Sequence, residues 1–253
     1  MISERSFARS FDSFWQELPP LLTPRFVAVF NEAYEVAVCD PSGRQLSFLQ
    51  TAAGVERPDI VAEFGFQLAR SAQERGLASA ALRDEKSLVA KAEKEAFELI
   101  QRYEGGPPAG IIPLTEVERS EGLRLCERYE ALYAAFPGCP AIEFCPRLRG
   151  AGFLNSSEGD IGIGDSLIEV KTTTRKPSGR DIRQLITYMA LDANAETRRW
   201  SRVAIFNPRR GTLHRVEIDS LVLRLSGGKP PSDVFAELIG FAESNEPTIE
   251  RKF

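Results

Sequence analysis

The segment Glu158–Thr174, EGDIGIGDSLIEVKTTT, constrains this chain more than any other. Apolar and polar residues alternate around Gly164-Asp165, and glycine at the first position of a two-residue loop suits a type II′ hairpin turn. Counting outward sets the register: Ile163 opposite Ser166, Gly162 opposite Leu167, Ile161 opposite Ile168, and Asp160 opposite Glu169. Side chains alternate between the two faces of a strand. Ile161, Ile163, Ile168 and Val170 therefore share an apolar face, expected to pack on a core. Asp160, Glu169, Lys171 and Thr173 are expected to emerge together on the other. Opposed residues hold their Cβ atoms about 4.5–5.5 Å apart, and like charges so placed destabilise a hairpin. A hard divalent cation removes that repulsion, because Mg²⁺ takes oxygen ligands and is held by one or two carboxylates together with substrate phosphate. With Lys171 close by to orient or deprotonate a water, the group suits metal-assisted phosphodiester hydrolysis. The plainer alternative is a solvent-exposed cluster of Asp, Glu and Lys.

The segments around this hairpin alternate between helical and extended patterns. Phe7 to Leu18 carries a helical face through Phe11, Phe14 and Trp15 and stops at Pro19-Pro20. Arg25 to Val36 fits helix or strand. Asp40-Pro41-Ser42-Gly43 is a turn signal. Helices are expected after Pro58 and over Ala81 to Tyr103. The strongest breaker run, Gly105-Gly106-Pro107-Pro108-Ala109-Gly110, then divides the chain. Residues 1–104 read as a mainly helical module for substrate, partner or regulation, 105–114 as a linker, and 115–253 as a second domain. In that domain the pattern gives a helix over Thr115 to Phe136, a strand over Ala141 to Pro146, the hairpin, and a helix from about Arg180. Strands at Arg202–Phe206 and Thr212–Ile218 flank a turn, and two short helices follow near Ser220 and Ser232. The fold class is α/β with a mixed sheet and helices on both faces.

Composition excludes several classes. Four cysteines without a C-x-x-C pair, and the single histidine His214, argue against a zinc site or a disulfide scaffold. No stretch approaches the roughly 20 apolar residues of a membrane helix. The first residues lack the pattern of a secretory signal, so a cytoplasmic protein is expected. The glycines around the hairpin do not form G-x-G-x-x-G, and no G-x-x-x-x-G-K-[ST] occurs, which argues against dinucleotide or NTP binding. The net charge is −4, yet residues 147–215 hold 13 Lys+Arg against 7 Asp+Glu. Local basicity of this kind attracts phosphate.

The hairpin resembles the active-site hairpin of the PD-(D/E)XK nuclease superfamily. Asp160 takes the Asp position and Glu169-Val170-Lys171 the E-x-K position, with Gly159 where a proline is common. The resemblance implies a restriction-endonuclease-like core and Mg²⁺ (with Mn²⁺ able to substitute) held by Asp160, Glu169 and the Val170 carbonyl. It implies that Lys171 positions the attacking water. On the following helix, SGRDIRQLITYMALD, Ser178 and Asp181 form a cap, while Gln184 and Tyr188 lie one turn apart. Gln184 is a candidate for the catalytic set. The family's frequent additional acid has three candidates, Glu127, Glu130 and Glu158. Arg147, Arg149, Arg175, Lys176, Arg180, Arg183, Tyr188, Arg209 and Arg210 are candidate nucleic-acid contacts. Phosphate contacts of this kind give affinity without sequence information. The expected activity is a metal-dependent nuclease acting on nucleic acid, DNA before RNA, in defence against foreign DNA or in repair. The alternative is a non-catalytic binding subunit of a larger complex, partnered through the N-terminal region. Homo-oligomers are compatible with either, and no membrane is involved.

Overall fold

The computed structural model describes residues 1–104, 112–138, 141–195 and 198–245. Its elements run α1 (Glu4–Arg9), α2 (Asp12–Glu17), α3 (Pro24–Tyr34), β1 (Glu35–Ala37), α4 (Pro58–Arg75), α5 (Lys86–Glu104), α6 (Glu116–Glu127) and α7 (Tyr129–Ala134). Then follow β2 (Ile142–Phe144), β3 (Arg147–Leu148), β4 (Ser157–Glu158), β5 (Ile161–Ile163), β6 (Ser166–Val170) and α8 (Gly179–Ala193). The chain continues through β7 (Arg202–Asn207), β8 (Thr212–Glu217), α9 (Ile218–Leu225) and α10 (Pro231–Ser244). Among the described residues no helix is long and apolar enough to cross a membrane.

A six-stranded sheet, in the order β1-β8-β7-β6-β5-β2, forms the centre. β6 and β7 pair in parallel across α8, and every other neighbour in this sheet is antiparallel. β3 and β4 form a separate two-stranded ribbon. Alternation along the strands sorts their side chains into two cores. Leu167, Val203, Ile205 and Val216 pack with α8, α9, α10 and the aromatic residues of α1 to α3. Ile161, Ile163, Ile168, Ala204, Phe206 and Leu213 pack with α4 to α7. The Ile161–Val170 face is therefore apolar and packed, as its pattern predicts. The opposite face is covered as well, as parallel pairing at the sheet centre generally requires.

This packing corrects the separation of an N-terminal module from a second domain. Residues 1–104 supply β1, which pairs with β8, and they supply helices to both faces of the sheet. Most of the expected linker, residues 105–111, lies outside the described residues, and Leu114 at its end is buried in the second core. Two expected helices are each broken in two. Phe11, at φ 59°, turns the chain between α1 and α2, and Arg128 separates α6 from α7. That turn folds Phe7, Phe11 and Phe14 against Phe153 and Phe241, with ring centroids 4.1–6.2 Å apart. The ambiguous Arg25–Val36 stretch is helix followed by strand. Thr23 caps α3 by accepting a hydrogen bond from the Phe26 amide at 3.2 Å.

Candidate active site

The hairpin forms with the register that counting predicts: Ile161 opposite Ile168, Gly162 opposite Leu167, and Ile163 opposite Ser166. Gly164 turns the chain at φ 59°, where a side chain would be strained. Gly162 is required for a different reason. A Cβ there would lie 2.4 Å from the Trp200 ring, which seals the hairpin from the α8 side. Asp160 stands one residue before β5, and its Oδ2 accepts the Val170 amide at 2.6 Å. Glu169, near the end of β6, is fully buried. Lys171 follows it and donates to Glu169 Oε1 at 2.6 Å and to Gln184 Oε1 at 2.9 Å. Asp160, Glu169, Lys171 and Gln184 are thus brought together. Glu169 does not emerge into solvent as alternation alone suggests, because α8 and α1 roof this face, whereas half-buried Asp160 borders a cleft.

α8 is placed by its start. The Asp181 carboxylate accepts from the Ser178 backbone and hydroxyl at 2.7 and 2.8 Å. Burial works to raise Asp181, but hydrogen bonds from Arg175 and Ser178 outweigh it and hold the carboxyl below its ordinary range. The inner face of α8 then presents Gln184 and Tyr188. Gln184 Nε2 donates to the Tyr188 hydroxyl at 3.0 Å and to Glu4 Oε1 at 3.3 Å. Tyr188 is 1 % exposed and donates to the same Glu4 oxygen at 3.3 Å. It orders the interior of the site rather than meeting nucleic acid. Glu4 also accepts from the Ser157 hydroxyl at 2.9 Å.

Sequence reasoning saw a helix from Phe7 but missed what the first turn of α1 brings to the site. Besides Glu4 it brings Arg5, whose guanidinium lies 3.8 Å from Glu169 Oε1. Burial works against the Arg5 charge, but Glu169 and Asp160 outweigh it and strengthen that charge. Asp160 is raised well above the ordinary carboxylate range, first by burial and then by repulsion from Glu169, with Arg5 and Lys171 opposing. Glu63 on α4 is raised by burial, and its Gln67 hydrogen bond and Arg5 pull the other way. The signal for α1 was present in Phe7, Phe11, Phe14 and Trp15, whose burial fixes Glu4 and Arg5 beside the hairpin. The pattern alone did not say where that helix docks.

Two open clefts meet these groups, and Arg5 lines both. One, of about 810 Å³, is bordered by Arg9, Lys171, Arg175, Arg180, Arg183 and Gln184. The other, of about 940 Å³, has Glu4, Glu63 and Asp160 among its lining residues, with Arg70, Arg102, Arg147 and Arg149 around them. Arg147, Arg149 and Arg180 are exposed, as a phosphate contact requires. Arg175 is engaged with Asp181, and Arg183 reaches the Ala8 carbonyl and Asp12. Lys176 pairs with Glu35 at 3.1 Å, and Arg210 bonds the Thr174 carbonyl.

Several expected residues stand elsewhere. Arg209 is 2 % exposed and pairs with buried Glu121 at 2.6 Å, so it is a core residue, not a nucleic-acid contact. Glu127 pairs with Arg83, and Glu130 accepts the Ser79 amide at 2.7 Å. Both lie on α6 and α7, whose apolar residues pack on the sheet face opposite Asp160 and Glu169. Neither supplies an additional acid to the site. Glu158 is exposed on the ribbon beside Arg147, at 3.5 Å. The other carboxyls around the hairpin are Glu4, which shares Arg5 with Glu169, Glu63, which lines the same cleft as Asp160, and Asp181, 4.0 Å from Lys171.

Among the described residues no group of three or more His, Cys, Asp and Glu side chains is gathered for a metal ion. The donor set at the hairpin nonetheless fits a hard cation. It consists of oxygens, and Glu169 Oε2 is buried without a hydrogen-bond partner. Such an orphaned carboxylate oxygen is costly unless a cation or donor meets it. Compared with family models, curated proteins and solved structures, the chain finds no match, so the chemistry of the site is read from its own residues.

Proposed function

We propose that this chain is a metal-dependent nuclease, with DNA as the first substrate to test, built on a restriction-endonuclease-like core. The observation that carries the reading is the meeting of Asp160, Glu169 and Lys171 at one end of a buried hairpin. A bound Mg²⁺ or Mn²⁺ supplies Lewis-acid polarisation of a phosphoryl oxygen and a more acidic water. Asp160, Glu169 and the Val170 carbonyl are the residues that would hold it. The Val170 amide fixes one Asp160 oxygen, which leaves the other to face a ligand. Lys171 is held by Glu169 and Gln184 at a fixed position, from which its ammonium can orient a water or a phosphate oxygen. Tyr188 and Glu4 hold Gln184 in turn. Arg147, Arg149 and Arg180 on the cleft borders would meet the polynucleotide backbone, which gives affinity without sequence readout.

The test is a cleavage panel of single- and double-stranded DNA and RNA with Mg²⁺, Mn²⁺ or chelator. Metal-dependent cleavage that is lost in Lys171→Ala supports the nuclease. Full cleavage by Lys171→Ala refutes the role given to that residue. One observation favours a second reading, a non-catalytic binding subunit: Glu169 is entirely enclosed, with Lys171 and Arg5 as its cationic neighbours. Nucleic-acid binding of equal strength in metal and in chelator, without cleavage, would decide for it.

A further inference from the structure

Arg5 holds a position that the proposed chemistry does not explain. Its guanidinium stands 3.8 Å from Glu169 Oε1 and 3.8 Å from Glu4 Oε1, and it lines one cleft with Asp160 and Glu63. Arg5 thus stands beside two carboxylates, from α1 and β6, and shares a cleft with two more, from α4 and the residue before β5. Lys171 contacts Glu169 Oε1, while Glu169 Oε2 is buried and has no hydrogen-bond partner among the described residues. The Arg5 side chain is 43 % exposed and borders both clefts, so it can swing outward while Phe7 stays buried in the core.

We propose that Arg5 is the resident counter-cation of the acidic centre and sets its metal threshold, because a divalent ion held by Asp160 and Glu169 would stand against the guanidinium charge and drive it outward. This rests on the metal-dependent reading above. Without metal, the carboxylates are neutralised by Arg5 and Lys171 and the site keeps its shape. With metal, a further positive charge arrives at Glu169, whose Oε1 already faces Lys171 and Arg5, and the arginine leaves for the cleft. Arginine serves this purpose because it holds its charge at every working pH, so the threshold depends on cation concentration and not on protonation of the plug.

The experiment is direct Mn²⁺ binding, read from the electron paramagnetic resonance of free Mn²⁺, on the purified wild-type chain and on Arg5→Gln, Arg5→Lys and Asp160→Asn. Removing one positive charge at this range is expected to tighten Mn²⁺ binding roughly ten- to hundredfold in Arg5→Gln. Arg5→Lys is expected to stay near the wild type, and Asp160→Asn to lose binding. Arg5→Gln affinity equal to or weaker than the wild type, with binding still lost in Asp160→Asn, overturns the exchange while leaving the metal site standing. Absence of Mn²⁺ binding in both the wild type and Arg5→Gln overturns the metal reading itself. Should Arg5→Gln fail to fold, the wild type decides. The Arg5 Nε–Hε resonance, assigned by its absence in Arg5→Lys, is expected to shift during a Mg²⁺ titration, and a signal that does not move refutes displacement.

Discussion

His214 offers a sharp test of the packing logic, because it is the only histidine in the chain. Its ring lies on β8, 1 % exposed, stacked on Phe30 at 5.7 Å between centroids and 12° between planes. Among the described residues neither ring nitrogen has a hydrogen-bond partner. Glu35 stands 3.6 Å from Nε2 and favours the charged ring, whereas Lys176 and Arg210 oppose it. Burial is the largest influence and lowers the imidazole from 6.5 to about 4. The unfolded chain therefore binds a proton between those values that the folded chain refuses. Stability from this group is complete above pH 6.5 and is lost as pH falls toward 4. At about 1.36 kcal/mol per pKa unit, the loss approaches about 3 kcal/mol at the acid end and about 2 kcal/mol at pH 5. Urea denaturation followed by tryptophan fluorescence, at matched ionic strength from pH 4.5 to 7.5, reads this directly. His214→Phe keeps the stacking and removes the titration. The stability difference between wild type and variant is expected to fall by about 2 kcal/mol from pH 7.5 to pH 5. Parallel pH curves for the two proteins would show that the buried imidazole takes up its proton without penalty, and the reasoning would be wrong.

Other expectations follow from the same contacts. Gly162→Ala sets a Cβ against the Trp200 ring and is expected to cost about 1–3 kcal/mol, read as a lowered Tm. Phe7→Ala empties the centre of the aromatic cluster and is expected to cost about 3–5 kcal/mol in chemical denaturation. A loss below 1 kcal/mol would mean that α1 is not anchored by Phe7. Lys171→Met should abolish cleavage and also destabilise the fold by about 3 kcal/mol, because buried Glu169 loses its 2.6 Å partner. An unchanged melting temperature would contradict that burial. Arg209→Ala should lower stability through buried Glu121 yet leave nucleic-acid affinity unchanged in an anisotropy titration, whereas Arg149→Ala should do the reverse.

The hairpin was legible because a two-residue glycine turn and strict alternation leave one register. From that register, Asp160, Glu169 and Lys171 fall together by counting. The start of α8 was legible from Ser178 and Asp181 for the same local reason. What local pattern could not supply was the second covered face. Leu167, Val203 and Ile205 read as ordinary strand residues, and only the parallel β6–β7 pairing shows that both faces are enclosed. The breaker run at Gly105–Gly110 suggested two domains, but breakers report local stiffness and turns, not which cores their flanks join. Glu127 and Glu130 were expected on one helix before the strands, yet they lie on two, α6 and α7, which dock across the sheet from Glu169. Arg209 was indistinguishable from Arg210 in sequence, and Glu121, which buries it, lies 88 residues earlier.

The sheet has a consequence for how the protein is made. Glu35 pairs with His214, and Glu4 accepts a hydrogen bond from Gln184, so partners that complete the sheet and the candidate site are separated by most of the polypeptide. A ribosome releases the N-terminal partners long before their counterparts exist. Asp160, Glu169 and Lys171 can lie in one hairpin while α8, β7 and β8 are still unsynthesised, but Gln184 cannot yet hold Lys171 and the closing strand pair cannot yet form. The hairpin alone is therefore a nascent segment without a site. Assembly waits until nearly all the described chain has emerged, and an unfinished polypeptide carries these acidic and basic residues without their partners.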